Sequence, residues 1–204
     1  MSPSWPALLS DADEDAQEAP SSLSLPAPAH IVLVGMMGSG KSTIGRLLAE
    51  RLGWRYLDND EAVVALTARE AADVIRTSGE ASLHEAEATA LLDALDLGGP
   101  AVIAAAAGVV MDASCASALA AADQVVYLRA RPKTLRRRIG SGAGRRSDAT
   151  DLDWLEARFQ ERDRIYRDVA TAVVDVDERT PEEIVEAILA RQSPGAGDAA
   201  AGTS

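Results

Sequence analysis

Gly35-Met36-Met37-Gly38-Ser39-Gly40-Lys41-Ser42 fits the spacing G-x-x-x-x-G-K-[ST]. Glycines in such a run let the backbone curl until successive N–H groups point at one centre, and a helix starting near Ser42 adds its positive end. The result is a cradle for a phosphate chain. Lys41 is then placed to reach the outer phosphates, and the Ser42 hydroxyl is a hard oxygen ligand for Mg2+. The flanks agree, because an apolar run at 31–34 leads into the loop and a helical pattern over 42–51 leads out. Farther on stand Asp58 and Asp60, one helix and one strand after Lys41. Carboxylates at i and i+2 on a strand end point the same way, and here they would lie beside the phosphate loop at the C-terminal edge of a sheet. An acidic turn fits those two residues equally well.

A second feature is a basic stretch in an acidic chain. The formal net charge is −12, yet residues 129–147 hold Arg129, Arg131, Lys133, Arg136, Arg137, Arg138, Arg145 and Arg146 and no acid. Bases gathered this way suggest an anionic ligand, although Arg129, Lys133, Arg136 and Arg137 read as a solvated helix face. The overall charge argues against a nucleic-acid surface, which needs a basic footprint. No apolar run approaches the roughly 20 residues that span a bilayer, and the start of the chain lacks a secretory pattern. The single cysteine, Cys115, leaves no disulfide framework. Together these give the expectation of a cytoplasmic protein with no membrane and no nucleic-acid partner, and a monomer by default.

The elements that must position these groups follow from the hydrophobic pattern. Strands are expected at 31–34, 55–57, 102–105, 125–128 and 173–174. Helices are expected at 42–51, 69–76, 80–95, after Asp112 to 121, from Pro132 to 140, from Asp153 (with Glu156 as a capping box) to 167, and from Thr180-Pro181-Glu182-Glu183 to 190. Ser141-Gly142-Ala143-Gly144 is a flexible break, of the kind a closing lid uses. Alternation of this type with continuous apolar strands predicts an α/β fold with a parallel sheet covered on both faces. Residues 30–191 form the expected domain. The flanks 1–29 and 192–204 are rich in small, polar and acidic residues and are expected to be disordered tails. With aromatics at 3%, the core must be mostly Ala, Val, Leu and Ile.

The phosphate loop with its helix, followed by Asp58-Asn59-Asp60, resembles the shikimate kinase family. The likeness continues through Gly79-Glu80, Val125-Val126-Tyr127-Leu128, Glu161-Arg162-Asp163-Arg164-Ile165-Tyr166, Val174-Asp175 and the Thr180-Pro181 helix start. It covers about residues 30–190. The resemblance implies a P-loop, nucleoside-monophosphate-kinase-like three-layer sandwich around a five-stranded parallel sheet with a lid, and an ATP- and Mg2+-dependent transfer to a hydroxyl of a small polyol. It implies that Gly38, Ser39, Gly40, Lys41, Ser42 and Thr43 hold the ATP phosphates, that Ser42 and Asp58 serve the metal, and that Asp60 orients the attacking hydroxyl and takes its proton. It further implies that Arg162 grips a substrate carboxylate, that Arg138 and Arg145 lie near adenine and the transferred phosphoryl, and that Arg179 and Pro181 belong to the adenine loop. Lys41, Asp60 and Arg145 are the implied catalytic set.

The chain departs from the family pattern in three places. Phe-Arg-x-x-Glu becomes Leu83-His84-Glu85-Ala86-Glu87, Gly-Gly-Gly becomes Ala106-Ala107-Gly108, and Arg-Pro-Leu-Leu becomes Arg145-Arg146-Ser147-Asp148. Histidine cannot make the two-pronged bond an arginine makes to a carboxylate. The methyls of Ala106 and Ala107 would intrude where glycine lets a substrate approach the backbone. His84 either touches substrate or pairs with Glu87 one turn on. His84, Glu87 and Gly108 thus join Asp60 and Arg162 as expected acceptor-side residues. Three activities stay open: a kinase of shikimate or a similar polyol, a kinase of a cyclitol or sugar without a carboxylate, and a nucleotide-binding relative that no longer transfers phosphate.

Overall fold

Every residue of His30–Val34 and of Ala101–Ala104 is buried. Successive side chains on a strand point to opposite faces, so this is a sheet covered on both sides. The computed structural model describes residues 30–140 and 151–191. Expectations that fall on 1–29, 141–150 and 192–204, Arg145 and the Gly-rich break among them, lie outside the described residues.

Among the described residues, β1 (His30–Val34), β2 (Arg55–Asp58), β3 (Ala101–Ala104), β4 (Val125–Arg129) and β5 (Ala172–Asp175) form one five-stranded sheet in the order β2-β3-β1-β4-β5. All pairs are parallel; His30 lies opposite Ala101 on one side of β1 and Val32 opposite Val125 on the other. The chain leaves β1 to either side, which opens a crevice at the C-terminal end of β1, where such sheets bind ligands. The helices are α1 (Lys41–Leu52), α2 (Asn59–Thr67), α3 (Ala71–Ser78), α4 (Glu80–Leu95), α5 (Ala113–Ala121), α6 (Pro132–Ile139), α7 (Leu152–Val169) and α8 (Pro181–Leu189), with a short 3-10 turn at Val109–Met111.

Most expected elements are present within one or two residues of their expected bounds. Pro132 opens α6 at its first position, Asp112 accepts from the Cys115 N–H at 2.9 Å, and Thr180 and Glu183 form the reciprocal capping box of α8. Two expectations are corrected. The cap of α7 is Asp151, not Asp153: the Asp151 carboxylate accepts from the backbone of Asp153 and Trp154, while Asp153 stands in the first turn, where its charge meets the helix's positive end. Helix α2 was missed altogether, and it begins where the sequence suggested a strand end. Its signals were Asp58 before an acidic first turn and the apolar spacing Ala62, Val63, Leu66.

The core is aliphatic, as the composition requires, with Tyr127 and Tyr166 as its largest fully buried side chains. Their rings stack at 4.8 Å. Arg129 is not the solvated base expected of it. It pairs with Asp163 at 2.8 Å and Asp175 at 3.2 Å and lies over the Phe159 ring, while Lys133, Arg136 and Arg137 are exposed as expected. Burial alone would raise the Asp163 carboxyl, but hydrogen bonds from Arg167, Arg129 and Tyr127 outweigh it and hold it below the usual range. A depressed carboxylate contributes stability that is present above its unfolded value, about 3.9, and is lost as pH falls through the folded value. Asp163→Asn is therefore expected to cost about 2 kcal/mol at neutral pH and to flatten the fall of stability below about pH 4. Urea titrations at a series of pH values read both.

Candidate active site

The turn after β1 needs glycine for two separate reasons. Gly38 has φ +81°, a conformation L side chains rarely adopt, and a Cβ there would meet Ile139 of α6 at 2.8 Å. Gly40, at φ 102°, is the residue from which α1 starts. The loop is drawn inward by Lys41, whose Nζ donates to the carbonyls of Gly35 at 2.8 Å and Met36 at 3.3 Å. Ser39 is buried, and its Oγ has no hydrogen-bond partner within the protein. An orphaned hydroxyl in a cradle of backbone at a helix N-terminus fits a phosphate group. Ser42 and Thr43 are exposed at the start of α1.

Asp58 and Asp60 do not share a strand face. The chain turns into α2 at Asn59, Asp58 Oδ1 accepts from the Asp60 N–H at 3.1 Å as the helix cap, and Asp60 is exposed in the first turn. The reason is local: a capping carboxylate satisfies one of the helix's unpaired N–H groups, which an extended continuation would not offer. Asp58 is buried, and its Oδ2 accepts from the Tyr56 hydroxyl at 2.6 Å. Among the described residues no cluster of three or more His, Cys, Asp and Glu could hold a metal. Ser42 and Asp58 are nonetheless hard oxygen donors beside a phosphate cradle. That suits Mg2+, which keeps waters and takes phosphate oxygens with one or two protein groups.

On the acceptor side, His84, Glu87 and Gly108 come together. His84 Nδ1 lies 3.2 Å from Glu87 Oε2, and His84 Nε2 lies 3.7 Å from Glu80. The i+3 pairing is thus present, but Glu87 is not on an exposed face: its side chain is 13% exposed. Any Cβ at Gly108 would come within 3.3 Å of both members of the pair, so the glycine makes room for it. Burial pushes the Glu87 carboxyl up, the His84 hydrogen bond works against this, the charge of Asp60 adds to it and that of Arg162 opposes it. Asp60 and Arg162 are therefore electrostatic neighbours of Glu87.

Arg162 of α7 donates from Nη1 to the Ala107 carbonyl at 3.3 Å, and Tyr166 donates to the same oxygen at 2.7 Å. The Arg162 Nε is buried without a hydrogen bond, 3.9 Å from Glu161 Oε2. Sequence reasoning missed the carbonyl of Ala107 and the hydroxyl of Tyr166; the only signal was that arginine and tyrosine stand four apart on one helix face. It also missed Asn59, which is buried and ties α2 to α4 by donating to the Glu87 carbonyl at 3.2 Å. The two alanines behave differently from one another. Ala106 is buried in the core, whereas Ala107 is half-buried.

On the third side of the crevice, Arg138 bridges two loops. It donates from Nη1 to Ser39 O at 3.2 Å and from Nη2 to Val176 O at 2.9 Å, tying the phosphate loop to the chain after β5. Arg179 is exposed and Pro181 half-buried at the start of α8, a few residues farther along that chain. Arg138 is thus beside the loop by hydrogen bonds that the sequence did not suggest.

Comparison with known proteins agrees with this geometry. A protein-family model described as shikimate kinase matches residues 37–192. The chain is 43% identical over 161 residues to a shikimate kinase of Streptomyces coelicolor, covering 78% of this chain and 92% of that one. It is 39% identical to the shikimate kinase of Streptomyces avermitilis, with the same coverage of 78% and 92%. The structure of a shikimate kinase from Acinetobacter baumannii in complex with shikimate superposes with a TM-score of 0.72 at 26% identity, over 80% of this chain and 92% of that one. With its phosphate loop, its sheet order and a match over most of its length, the chain belongs to the shikimate kinase family of ATP-using P-loop kinases.

Proposed function

We propose that this chain transfers the γ-phosphoryl group of Mg-ATP to a hydroxyl of shikimate, as a monomer in the cytoplasm. The acceptor oxygen bonds to the γ-phosphorus as the bond to the β–γ bridging oxygen breaks, and the hydroxyl proton passes to the Asp60 carboxylate. Such transfer is catalysed mainly by positioning and charge neutralisation. Backbone N–H groups of Gly38, Ser39, Gly40, Lys41, Ser42 and Thr43 hold the phosphates, and the Lys41 ammonium neutralises charge on the outer two. Ser42 and Asp58 would hold Mg2+, which supplies further neutralisation between the phosphates when bound. Arg138, Arg179 and Pro181 border the adenine, and Arg145 belongs to the same anionic end. Arg162 takes the acceptor's carboxylate, with Glu87 and Gly108 beside it. One chain supplies every group named, and its only cysteine is a free, buried thiol, compatible with a reducing compartment.

The observation that carries the acceptor assignment is Arg162. It is a guanidinium fixed by the Ala107 carbonyl, with a buried Nε that makes no hydrogen bond within the protein and has only a 3.9 Å ion-pair contact with Glu161. A buried donor without a partner is expensive, and an anionic acceptor removes the penalty. Turnover of ATP with a panel of acceptors tests the assignment, and shikimate should lead that panel. If a carboxylate-free cyclitol leads, the second reading holds.

That second reading has its own support. The residue in place of the family's second arginine is His84, and its imidazole already faces Glu87 and Glu80. With one cation fewer, the KM for shikimate should be high. His84→Arg is expected to raise kcat/KM for shikimate by about one to two orders of magnitude, the worth of one charge-assisted hydrogen bond. Steady-state kinetics with the wild type and the variant read this, and a variant that loses shikimate turnover overturns it.

A further inference from the structure

Tyr56 and Asp58 stand at i and i+2 on β2, so their side chains leave the same face of the sheet. The Tyr56 hydroxyl donates to Asp58 Oδ2 at 2.6 Å. The Ser42 side chain is an electrostatic neighbour of the same hydroxyl. Ser42 and Asp58, which come from different elements, thus both stand near one phenol. The other Asp58 oxygen is taken by the Asp60 N–H. The carboxylate is held at both ends, by the sheet through Tyr56 and by the first turn of α2.

The Tyr56 ring is itself fixed. The Arg46 guanidinium carbon lies 4.6 Å from its centroid, and a Cβ at Gly45 would stand 2.5 Å from its Cε2. Only a glycine at 45 lets α1 approach the ring so closely, and that approach brings the start of α1, with Ser42, within reach of the phenol. Phenylalanine would fill this space as well as tyrosine does. The hydroxyl adds a bond to Asp58, one of the two groups on which the metal end of the ATP site depends.

We propose that Tyr56 is a positioning residue for that metal end: its hydroxyl holds one oxygen of Asp58 and sets the orientation of the carboxylate toward the ion. This rests on the Mg-ATP reading above. Groups that orient a metal's ligands typically change metal affinity about 10- to 100-fold when removed. Tyr56 acts on a carboxylate that is itself assisted by Asp60, so the lower end of that range is expected.

Tyr56→Phe keeps the ring, the Gly45 contact and the stacked guanidinium, and removes the hydroxyl alone. With Mn2+ as the probe and ATP present without acceptor, electron paramagnetic resonance should show Mn2+ bound about tenfold more weakly in the variant. ATP affinity in excess EDTA and the thermal midpoint should stay close to wild type. In an Asp58→Asn background, Tyr56→Phe should add no more than about twofold, because the two changes remove one interaction. A second measurement leaves the chain intact. With 3-fluorotyrosine at its three tyrosines, the 19F resonance of Tyr56 should shift when Mg2+ is added to the metal-free ATP complex. Unchanged Mn2+ affinity in Tyr56→Phe, a full loss that persists beside Asp58→Asn, or a stationary Tyr56 resonance would each overturn the positioning role. A wild-type chain that binds ATP–Mn2+ while Tyr56→Phe is silent sinks this role alone. A wild-type chain that retains no Mn2+ with ATP sinks the Mg-ATP reading along with it.

Discussion

Lys41→Ala is expected to lower kcat by about two to three orders of magnitude, the loss typical of removing one fixed charge or donor from a transition state. The ammonium is anchored by the carbonyls of Gly35 and Met36. Those are the first residues of the loop itself, so the lysine both shapes the cradle and carries the charge that serves the outer phosphates. The alanine variant should therefore bind ATP more weakly as well as turn over more slowly. Calorimetry of ATP binding beside single-turnover rates separates the two losses. Unchanged affinity together with unchanged turnover would remove the phosphate assignment from this loop. Thermal stability should move little, because the ammonium is only half-buried and its two carbonyl partners can be hydrated in its absence.

Asp60→Asn is the second large effect, with kcat expected to fall by about two to four orders of magnitude. Asn keeps the shape and the exposed place in the first turn of α2, and it leaves the backbone N–H that Asp58 caps. What it loses is the capacity to take a proton. The ATP dissociation constant should accordingly stay near wild type, and the loss should fall on kcat for every acceptor tried. There is a further consequence through Glu87. The charge of Asp60 is one of the influences holding the Glu87 carboxyl above its usual range. Removing that charge lets Glu87 ionise at lower pH, so the acid limb of the residual activity should move downward. A variant whose residual rate keeps the wild-type pH profile would show that Glu87 does not report on this site.

Much of the phosphate end was legible in the chain because its chemistry is local. The spacing from Gly35 to Ser42 fixes a turn followed at once by a helix, and nothing distant has to agree for the N–H groups to converge. Strands made of continuous apolar runs could be recognised for the same reason, since burial on both faces leaves no alternation to misread. The failures were at boundaries where two local solutions competed. Asp58-Asn59-Asp60 could continue a strand or cap a helix, and packing of α2 on α4 decided for the cap. Asp153 could cap α7 from its spacing to Glu156, but Asp151 lay one residue before the helix and satisfied two N–H groups.

The acceptor end was legible only as a set of residue types. That His84 and Glu87 stand i, i+3 on a helix was visible; that Gly108, more than 20 positions away, clears the space for their bond was not. Nor did the sequence reveal that Arg162 and Tyr166 share the carbonyl of Ala107, that Arg138 pins the phosphate loop to the chain after β5, or that the Tyr56 hydroxyl holds Asp58.

By itself, then, the sequence determined the alternation of strands and helices, the phosphate-binding turn, the helix caps at Asp112 and Thr180, and the family resemblance those features carry. The tertiary structure alone decided which carboxylates are held and by what, which of the two alanines is buried in the core, and where the Arg162 guanidinium lies. The division has one physical cause. Backbone conformation and periodic burial depend on neighbours within about one helical turn, whereas hydrogen bonds between side chains of different elements exist only once the sheet has brought those elements to one edge.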